Sequence, residues 1–257
     1  MLRSKGQKES SLEIVASGNT HKGMVRQSNE DAYGIYSDLS LYIVADGLGG
    51  HAGGEVASRI AVDAIRECIA STDNASLKIR NSVISAINEA NIKIILEAGK
   101  EKNLHGMGTT VAVVMKGDDT AIVAHLGDSR VYLVRGNVMT RITKDHTVVD
   151  EYVRLGLLSP QDALYHPSKH MLSRALGTSG DVDVDITEIQ FQAGDILILC
   201  TDGLTNMVSD KEISDVILEL SPSPEKITDK LITLANKNGG IDNITVITLC
   251  AVDQVGS

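Results

Sequence analysis

Residues 41–58 read LYIVADGLGGHAGGEVAS, and this stretch decides the fold of the chain. Its first five residues are all apolar, as in a strand that is buried on both faces. Asp46 and Gly47 follow at once, and the apolar spacing over residues 54–70 predicts an amphipathic helix. A strand end holds a short carboxylate rigidly, and glycine lets the adjacent backbone expose its carbonyl oxygen.

Three more apolar runs have an acidic residue at one end. Asp202 follows ILILCT, Asp242 stands just before the run ITVITLC, and Asp128 lies in the turn GDSR after AIVAHL. Each one alone is only a turn signal, because Asp and Asn commonly form such turns. If these ends converge, their oxygens form a pocket of the kind that hard divalent cations prefer.

The order of predicted elements favours an α+β fold. Helices are predicted over residues 54–70, from Asn74 to about Gly99, over 210–220 and over 223–237. Strands and two hairpins fill the stretches between these helix pairs, and this order differs from an alternating α/β pattern. Residues 1–12 read as a loose polar tail and residues 13–257 as a single domain.

Composition excludes several classes of function. The 257 residues carry a net charge of −10, which disfavours a nucleic-acid partner. Only 3% of the residues are aromatic, so single-stranded nucleic acids have few stacking platforms. The three cysteines are widely spaced and odd in number, which favours a reducing compartment. No apolar stretch reaches the roughly 18 residues that span a membrane, and we expect a cytoplasmic protein.

Three other interpretations of the motifs are weaker. Gly47, Gly49 and Ala52 satisfy a dinucleotide fingerprint, but a second helix follows where a compact βαβ unit requires a strand. His166 and His170 have the spacing of zinc ligands but lack the glutamate of HExxH. A Ser-His-Asp triad can be assembled from distant residues, yet no G-x-S-x-G elbow supports one.

Seven motifs in order resemble the metal-dependent protein phosphatases of the protein phosphatase 2C type, in a compact bacterial form. They are VRQSNED, VADGLGGHAGGEVAS, GTT, GDSR, LSRALG, LCTDGL and GGIDNIT. Each motif is weak alone, but seven in this order and spacing are specific, and the resemblance covers about residues 13–252. It implies a sandwich of two antiparallel β-sheets flanked by antiparallel helix pairs.

The resemblance also implies a set of metal ligands. Asp46 would bridge two Mn²⁺ or Mg²⁺ ions, and the carbonyl of Gly47 would bind one of them. Asp202 and Asp242 would bind the other ion. Asp128 resembles a ligand of a third, weaker ion, which it would share with Asp202.

The resemblance also implies roles for residues around these ligands. Glu30 and Asp31 would hold metal-bound waters, and Arg26 would bind the substrate phosphate, which a planar guanidinium can grip with two donors. One position departs from the family pattern. Leu48 stands where many eukaryotic relatives have a histidine that is proposed as general acid. His51 lies three residues later, but nothing in the sequence shows that it can substitute.

The function implied is a serine/threonine protein phosphatase. Water activated between two ions about 3.5–4 Å apart would attack the phosphorus of phosphoserine or phosphothreonine without a phosphoenzyme. The partners implied are phosphorylated proteins, namely Ser/Thr kinases and their substrates, and nothing in the sequence demands more than a monomer.

Two rival functions and one mobile segment complete the predictions. The rivals are a pseudophosphatase that only binds, and a phosphatase dedicated to one anti-sigma-type regulator. An activity assay separates the first from an enzyme, and a comparison of phosphoprotein substrates separates the second. The segment 149–170 is predicted to be a flap beside the site, because it has weak periodicity and contains Gly156, Pro160 and Pro167.

Overall fold

The computed structural model describes residues 12–49, 53–72, 79–117, 120–178 and 180–253. The strands in these ranges are β1 (Leu12–His21), β2 (Ala32–Tyr36), β3 (Leu41–Ala45), β4 (Gly47–Leu48), β5 (Gly108–Thr109), β6 (Val111–Lys116), β7 (Thr120–Leu126), β8 (Arg130–Arg135), β9 (Val138–Arg141), β10 (Asp185–Gln190), β11 (Ile196–Cys200) and β12 (Ile244–Asp253). The α-helices are α1 (Gly53–Ser71), α2 (Ile79–Ala98), α3 (Val148–Arg154), α4 (Pro160–Ala163), α5 (Asp202–Thr205), α6 (Asp210–Leu220) and α7 (Pro224–Lys237).

Ten of these strands form two five-stranded sheets. The first sheet has the order β1-β12-β11-β8-β9, and the second has the order β10-β7-β6-β3-β2. Neighbouring strands pair antiparallel throughout, as do the short strands β4 and β5. Apolar side chains of both sheets meet in one buried layer, so the sheets pack face to face as a sandwich.

Helix pairs cover the two outer faces of this sandwich. Side chains of α1 and α2 pack on the second sheet, and those of α6 and α7 pack on the first. The strand β3 shows why its sequence is apolar throughout, because Leu41 and Ile43 face the helices while Tyr42 and Val44 face the other sheet. The predicted α+β sandwich is therefore confirmed.

The helix ends follow local capping chemistry. Ser209 and Glu212 form a capping box at the start of α6, whose bounds are those predicted. Pro224 occupies the first turn of α7, where its missing N–H costs nothing. The predicted start of the second helix at Asn74 lies outside the described residues. No helix within the described ranges is both long enough and apolar enough to cross a membrane.

Two glycines beside the acidic strand ends allow close contacts between segments. Gly47 belongs to the short strand β4. A side chain there would overlap the carbonyl oxygens of Glu30 and Gly54, so the residue permits close backbone packing. Gly203 lies inside the short helix α5, and a side chain there would overlap the main chain of Asn243. Periodicity cannot reveal such approaches, because they join distant segments.

Candidate metal centre

Strand ends of both sheets converge on one cleft. β3 and β7 end beside it, closely followed by Asp46 and Asp128, while Asp202 follows β11 and Asp242 lies two residues before β12. The cleft has a volume of about 610 Å³, and its lining includes Arg26, Glu30, Asp46, Gly47, Asp128, Asp202 and Asp242. Seven of the eight residues predicted for the site therefore lie around a single opening.

The carboxylates of this cleft repel one another. Burial raises the pKa of Asp46 well above its ordinary value, and the charges of Asp31, Asp202, Asp128 and Asp242 raise it further. Burial and the charge of Asp242 likewise raise the pKa of Asp202. Mutual repulsion makes the electrostatic energy of buried anions unfavourable when no cation is present. A bound divalent ion attracts each carboxylate and makes that energy favourable.

Asp31 is the eighth predicted residue, and it is buried beside the cleft. Its Oδ2 accepts hydrogen bonds from the hydroxyls of Thr201 at 2.9 Å and Thr245 at 2.7 Å. Burial raises the pKa of Asp31 to about 7, even though these two bonds lower it, and the charges of Asp202 and Asp242 add to the increase. The threonines precede Asp202 and follow Asn243, so the metal-ligand segments also hold Asp31.

Asp128 lies in the turn between β7 and β8. Burial raises its pKa to about 7, and the charges of Asp202 and Asp145 contribute in the same direction. Arg130, two residues later in GDSR, makes its main ion pair with Asp145 at 2.6 Å. The arginine of this motif therefore anchors the segment that follows β9 and leaves the carboxylate of Asp128 facing the cleft.

Asp242 and Asn243 organise the other side of the opening. Arg26 is half exposed and donates to Asp242 Oδ2 at 2.7 Å. The Asn243 side chain accepts from the Glu30 N–H at 2.8 Å and donates to the carbonyls of Lys22 and Ser28, both at 2.9 Å. Asn243 thus fastens the VRQSNED segment to the start of β12, a role that sequence reasoning missed although it had noted the Asp-Asn pair.

Glu30 is held between β4 and α1. The Ser58 hydroxyl donates to its carbonyl at 2.6 Å, and the absence of a side chain at Gly54 makes room for its carboxylate. The same close packing brings Gly47 to the cleft. Gly47 and Gly54 therefore allow the segment around Glu30 to approach the first turn of α1.

Two buried oxygen atoms test whether the cleft suits a metal. Asp31 Oδ1 and Asp202 Oδ1 are both buried and have no hydrogen-bond partner. Unpaired buried carboxylate oxygens are costly unless a cation or proton meets them. The predicted donors are all oxygen atoms, as Mg²⁺ and Mn²⁺ prefer, so the residues fit such ions.

The sequence-based prediction missed several residues that complete the lining. Lys169, His170 and Asn206 all contact the cleft. Asn206 donates to Asp202 Oδ2 at 3.0 Å, and the charge of His170 lowers the pKa of Asp202 against the larger effect of burial. His166, its partner in the H-x3-H spacing, instead accepts the Ser168 N–H at 3.1 Å. His51 lies outside the described residues.

A second cluster of ionisable groups comprises His125, His146 and Asp185, and we call it the histidine cluster. One potential ligand atom from each lies within 4.8 Å of the others. However, the Gly127 N–H donates to His146 Nδ1 at 3.2 Å, so the proton of a neutral His146 lies on Nε2, facing Asp185 at 3.4 Å. His146 therefore has no free electron pair for a metal in this arrangement.

His125 is also engaged. Its Nε2 lies 2.7 Å from the carbonyl oxygen of Lys144, which can only accept, and its ring stacks on that of His146 at 4.6 Å. Stacked rings direct their in-plane electron pairs into separate planes. Asp185 also pairs with Arg174 at 3.2 Å. Close spacing alone would favour this cluster as a metal site, but the state of its donor atoms does not.

A model of the protein phosphatase 2C family matches residues 18–236. The chain belongs to this family. It is 42% identical over 235 residues to the serine/threonine phosphatase stp of Listeria innocua, covering 89% of this chain and 92% of that protein. It is 35% identical to the protein phosphatase PhpP of Streptococcus pneumoniae, covering 88% of this chain and 93% of that protein.

Solved structures of the protein phosphatase 2C type share the fold. The catalytic domain of the serine/threonine protein phosphatase PstP in complex with two manganese ions superimposes with a TM-score of 0.84 and 34% identity, covering 95% of this chain and 100% of that one. The Streptococcus agalactiae serine/threonine phosphatase gives a TM-score of 0.86 and 36% identity, covering 93% of this chain and 100% of that one. The protein is accordingly a metal-dependent serine/threonine protein phosphatase of bacterial type, and its substrates are phosphorylated proteins.

Proposed function

We propose that the cleft is the catalytic centre of this phosphatase. Asp46, the carbonyl of Gly47, Asp202 and Asp242 are the residues that would hold two Mn²⁺ or Mg²⁺ ions. The observation that carries the proposal is the convergence of mutually repelling carboxylates with the buried, unpaired oxygen Asp202 Oδ1. The two manganese ions in the PstP complex support the number of ions.

Three further residues complete the proposed metal environment. Asp128 binds a third and weaker ion together with Asp202, which is supported by the contribution of Asp202 to its raised pKa. Glu30 and Asp31 hold waters of the ions, and the unpaired Oδ1 of Asp31 is the acceptor that such a water would use. The positions of both residues depend on segments that also carry ligands, which keeps the arrangement rigid.

The reaction is hydrolysis of a phosphoserine or phosphothreonine ester. When bound, divalent ions act as Lewis acids that stabilise negative charge on the phosphoryl oxygens, and they lower the pKa of a coordinated water to about 7. The part assigned to this chain is to orient and neutralise the substrate. Arg26, half exposed at the rim, would donate N–H groups to two phosphate oxygens, and its guanidinium is held beside the cleft by Asp242.

The identity of the proton donor is a separate question. Leu48 lines the cleft where a histidine stands in many eukaryotic relatives, and its hydrocarbon side chain cannot donate a proton to the leaving oxygen. His170 also lines the cleft.

We further propose that residues 13–257 form one catalytic domain with a flap at about residues 149–170. Support comes from exposed apolar side chains on this segment, including Leu157 and Tyr165 at 70% and 87% exposure. Lys169 and His170, at the end of this segment, line the cleft. Amide exchange in this segment should be much faster than in β11, and equal protection would contradict the flap.

The physiological setting is also a proposal. We propose that the protein acts as a monomer in the cytoplasm on Ser/Thr kinases and their substrates. The three cysteines, Cys68, Cys200 and Cys250, are free thiols, and two of them are buried, which suits a reducing compartment.

The decisive experiment combines metal removal with one substitution. Metal-stripped protein should hydrolyse p-nitrophenyl phosphate and a phosphothreonine peptide only after Mn²⁺ is added, and Asp202→Asn should remain inactive at saturating Mn²⁺. Lys211→Ala, which breaks only an exposed ion pair with Asp215 on α6, serves as the matched control. Full turnover without divalent ions, or undiminished turnover in Asp202→Asn, would overturn the proposal.

A further inference from the structure

A buried threonine is tied to the main chain of Asp46. Thr110 lies between β5 and β6 and is 1% exposed. The Asp46 N–H donates to Thr110 Oγ1 at 3.0 Å, and the Thr110 N–H donates to the Asp46 carbonyl at 2.9 Å. The strand end that presents Asp46 therefore depends on the side chain of Thr110 as well as on its backbone.

The same side chain supports the turn that carries Asp128. Thr110 Oγ1 and Ser129 Oγ lie 2.7 Å apart, and Ser129 is also 1% exposed. Gly127 has a φ of +102° and packs on the methyl group, because a Cβ there would lie 2.6 Å from Thr110 Cγ2. The hydroxyl therefore bonds to the residue after Asp128, while the methyl only contacts the glycine before it.

The hydroxyl of Thr110 can serve both polar partners at once. A backbone N–H only donates, so Thr110 Oγ1 accepts from Asp46 and still has a proton and a second electron pair for Ser129. Both hydroxyls are buried, so bulk water does not replace either bond. Removing the Thr110 hydroxyl would leave the Asp46 N–H buried without this acceptor, a change that favours local rearrangement.

This chain of bonds joins the two segments that carry Asp46 and Asp128. It runs from the Asp46 N–H through Thr110 Oγ1 to Ser129 Oγ, and so fixes the end of β3 relative to the turn after β7. A fixed spacing matters for a metal centre, because ligand positions outside a narrow range weaken binding.

We infer that Thr110 is a positioning residue that keeps Asp128, the ligand of the weaker ion, in register with Asp46. The inference rests on the proposed function for the roles of these two carboxylates. Thr110 acts through Asp46 and Ser129 and does not itself bind metal or substrate. It gives the GTT segment, residues 108–110, a physical role beyond its value as a motif.

Two substitutions at the same position separate the hydroxyl from the methyl. Thr110→Val keeps the shape and removes the hydroxyl, whereas Thr110→Ser keeps the hydroxyl and removes the methyl. Ser129→Ala removes the second hydroxyl and leaves the bond from Asp46 intact. The matched control is Thr228→Val, because Thr228 and Thr248 form a similar buried hydroxyl pair, 2.8 Å apart, between α7 and β12.

Mn²⁺ binding is measured from the electron paramagnetic resonance signal of the free ion. Circular dichroism verifies that each variant is folded. Thr110→Val should weaken the weakest Mn²⁺ site about fivefold or more, as expected for a lost hydrogen bond. Thr110→Ser should stay within about twofold of wild type. Ser129→Ala should weaken the same site and spare the tighter ones, and Thr228→Val should change only thermal stability.

Several results would overturn the inference. One is wild-type Mn²⁺ affinity at every site in folded Thr110→Val, and another is equal weakening in Thr110→Ser and Thr110→Val. If Thr110→Val does not fold, Ser129→Ala decides, and wild-type affinity at the weakest site there would overturn the inference. Failure of the proposed function is distinguishable, because wild-type protein would then show no Mn²⁺-dependent turnover.

Discussion

The cleft and the histidine cluster both gather ionisable side chains around the turn at Gly127, yet their chemistry differs. In the cleft, Asp46 and Asp202 have raised pKa values because of burial and like charges. In the histidine cluster, burial would raise the pKa of Asp185, but a side-chain interaction with His146 and the charges of nearby basic groups lower it below its ordinary value. The buried carboxylates of the cleft act mainly on one another, although Arg26, Lys169 and His170 also line it, whereas Asp185 has basic side chains as its close partners.

The comparison teaches that proximity is a poor guide to a metal site. The three side chains of the histidine cluster are close together, but His125 Nε2 lies against a carbonyl oxygen and Asp185 pairs with Arg174. His146 Nδ1 already accepts a backbone N–H, and its buried, unpartnered Nε2 carries the proton of the neutral ring. The oxygens of the cleft include two that are buried and unpaired. An ion binds where electron pairs are free and negative charge is uncompensated.

Replacing one carboxylate in each region should give the largest difference in turnover between the cleft and the histidine cluster. Asp46→Asn should lower turnover by about a thousandfold or more, because the ions contribute several kcal/mol to the transition state. The metal-free variant should unfold at a higher temperature than wild type, since one repelling charge is gone. Asp185→Asn should keep turnover within about twofold, because its ion pairs are partly exposed.

Steady-state kinetics and thermal unfolding measure both effects. A metal-free Asp46→Asn protein that is less stable than wild type would contradict the repulsion argument. A large loss of turnover in Asp185→Asn would indicate that the histidine cluster takes part in catalysis.

The arginines of the two regions offer a second contrast. Arg26→Ala should lower kcat/KM about 10- to 100-fold with Mn²⁺ stoichiometry unchanged, because hydrogen bonds to charged groups contribute roughly 1.5–3 kcal/mol. Arg26→Lys should restore only part of this, since an ammonium does not bind bidentately. Arg174→Ala, which removes the partner of Asp185, should leave kcat/KM within about twofold.

Inhibition by inorganic phosphate provides a second measurement for these variants. Phosphate should inhibit Arg26→Ala more weakly than wild type and inhibit Arg174→Ala equally. Equal inhibition of Arg26→Ala and wild type would remove the phosphate-binding role from Arg26.

The pH dependence of stability should differ in sign with and without metal. The pKa values of Asp31 and Asp128 are raised from 3.8 to about 7, so the folded metal-free protein binds more protons than the unfolded chain between these values. The stability this provides is complete below the unfolded value and is lost as pH rises towards 7. The Tm of metal-free protein should therefore fall by several degrees between about pH 5 and about pH 8.

Saturating Mn²⁺ should reverse this slope. Metal ligands must be deprotonated, so binding strengthens and the Tm rises over the same interval. Differential scanning calorimetry with and without Mn²⁺ measures both slopes. Parallel slopes would mean that the carboxylates of the cleft do not bind the ion.

Much of the fold could be predicted from local patterns. The apolar run of β3 indicated burial on both faces, and the bounds of α6 follow from its periodicity and its capping residues. The short helix α5 could not be predicted in this way, because it starts at Asp202 itself and has only four residues. Short elements have too few side chains to show a period.

The residues of the site, like the elements of the fold, could be predicted only in part from the sequence. Asp46, Asp202 and Asp242 were predicted from acidic strand ends, with their roles supplied by the family resemblance. Asn243 and Thr110 were missed as contributors, because each acts through bonds to segments distant in the chain. The close contacts that Gly47 and Gly203 allow between segments could not be predicted either, because the contacting residues are distant in the chain.

The sequence by itself determined which residues are apolar, where strands end and which residue types could bind a metal, because these properties depend on neighbours in the chain. Only the tertiary structure decided which oxygens are buried without partners, which histidine nitrogens are already engaged and which threonine joins Asp46 to the turn of Asp128. Those properties depend on the packing of two sheets against each other, and local periodicity contains no record of that packing.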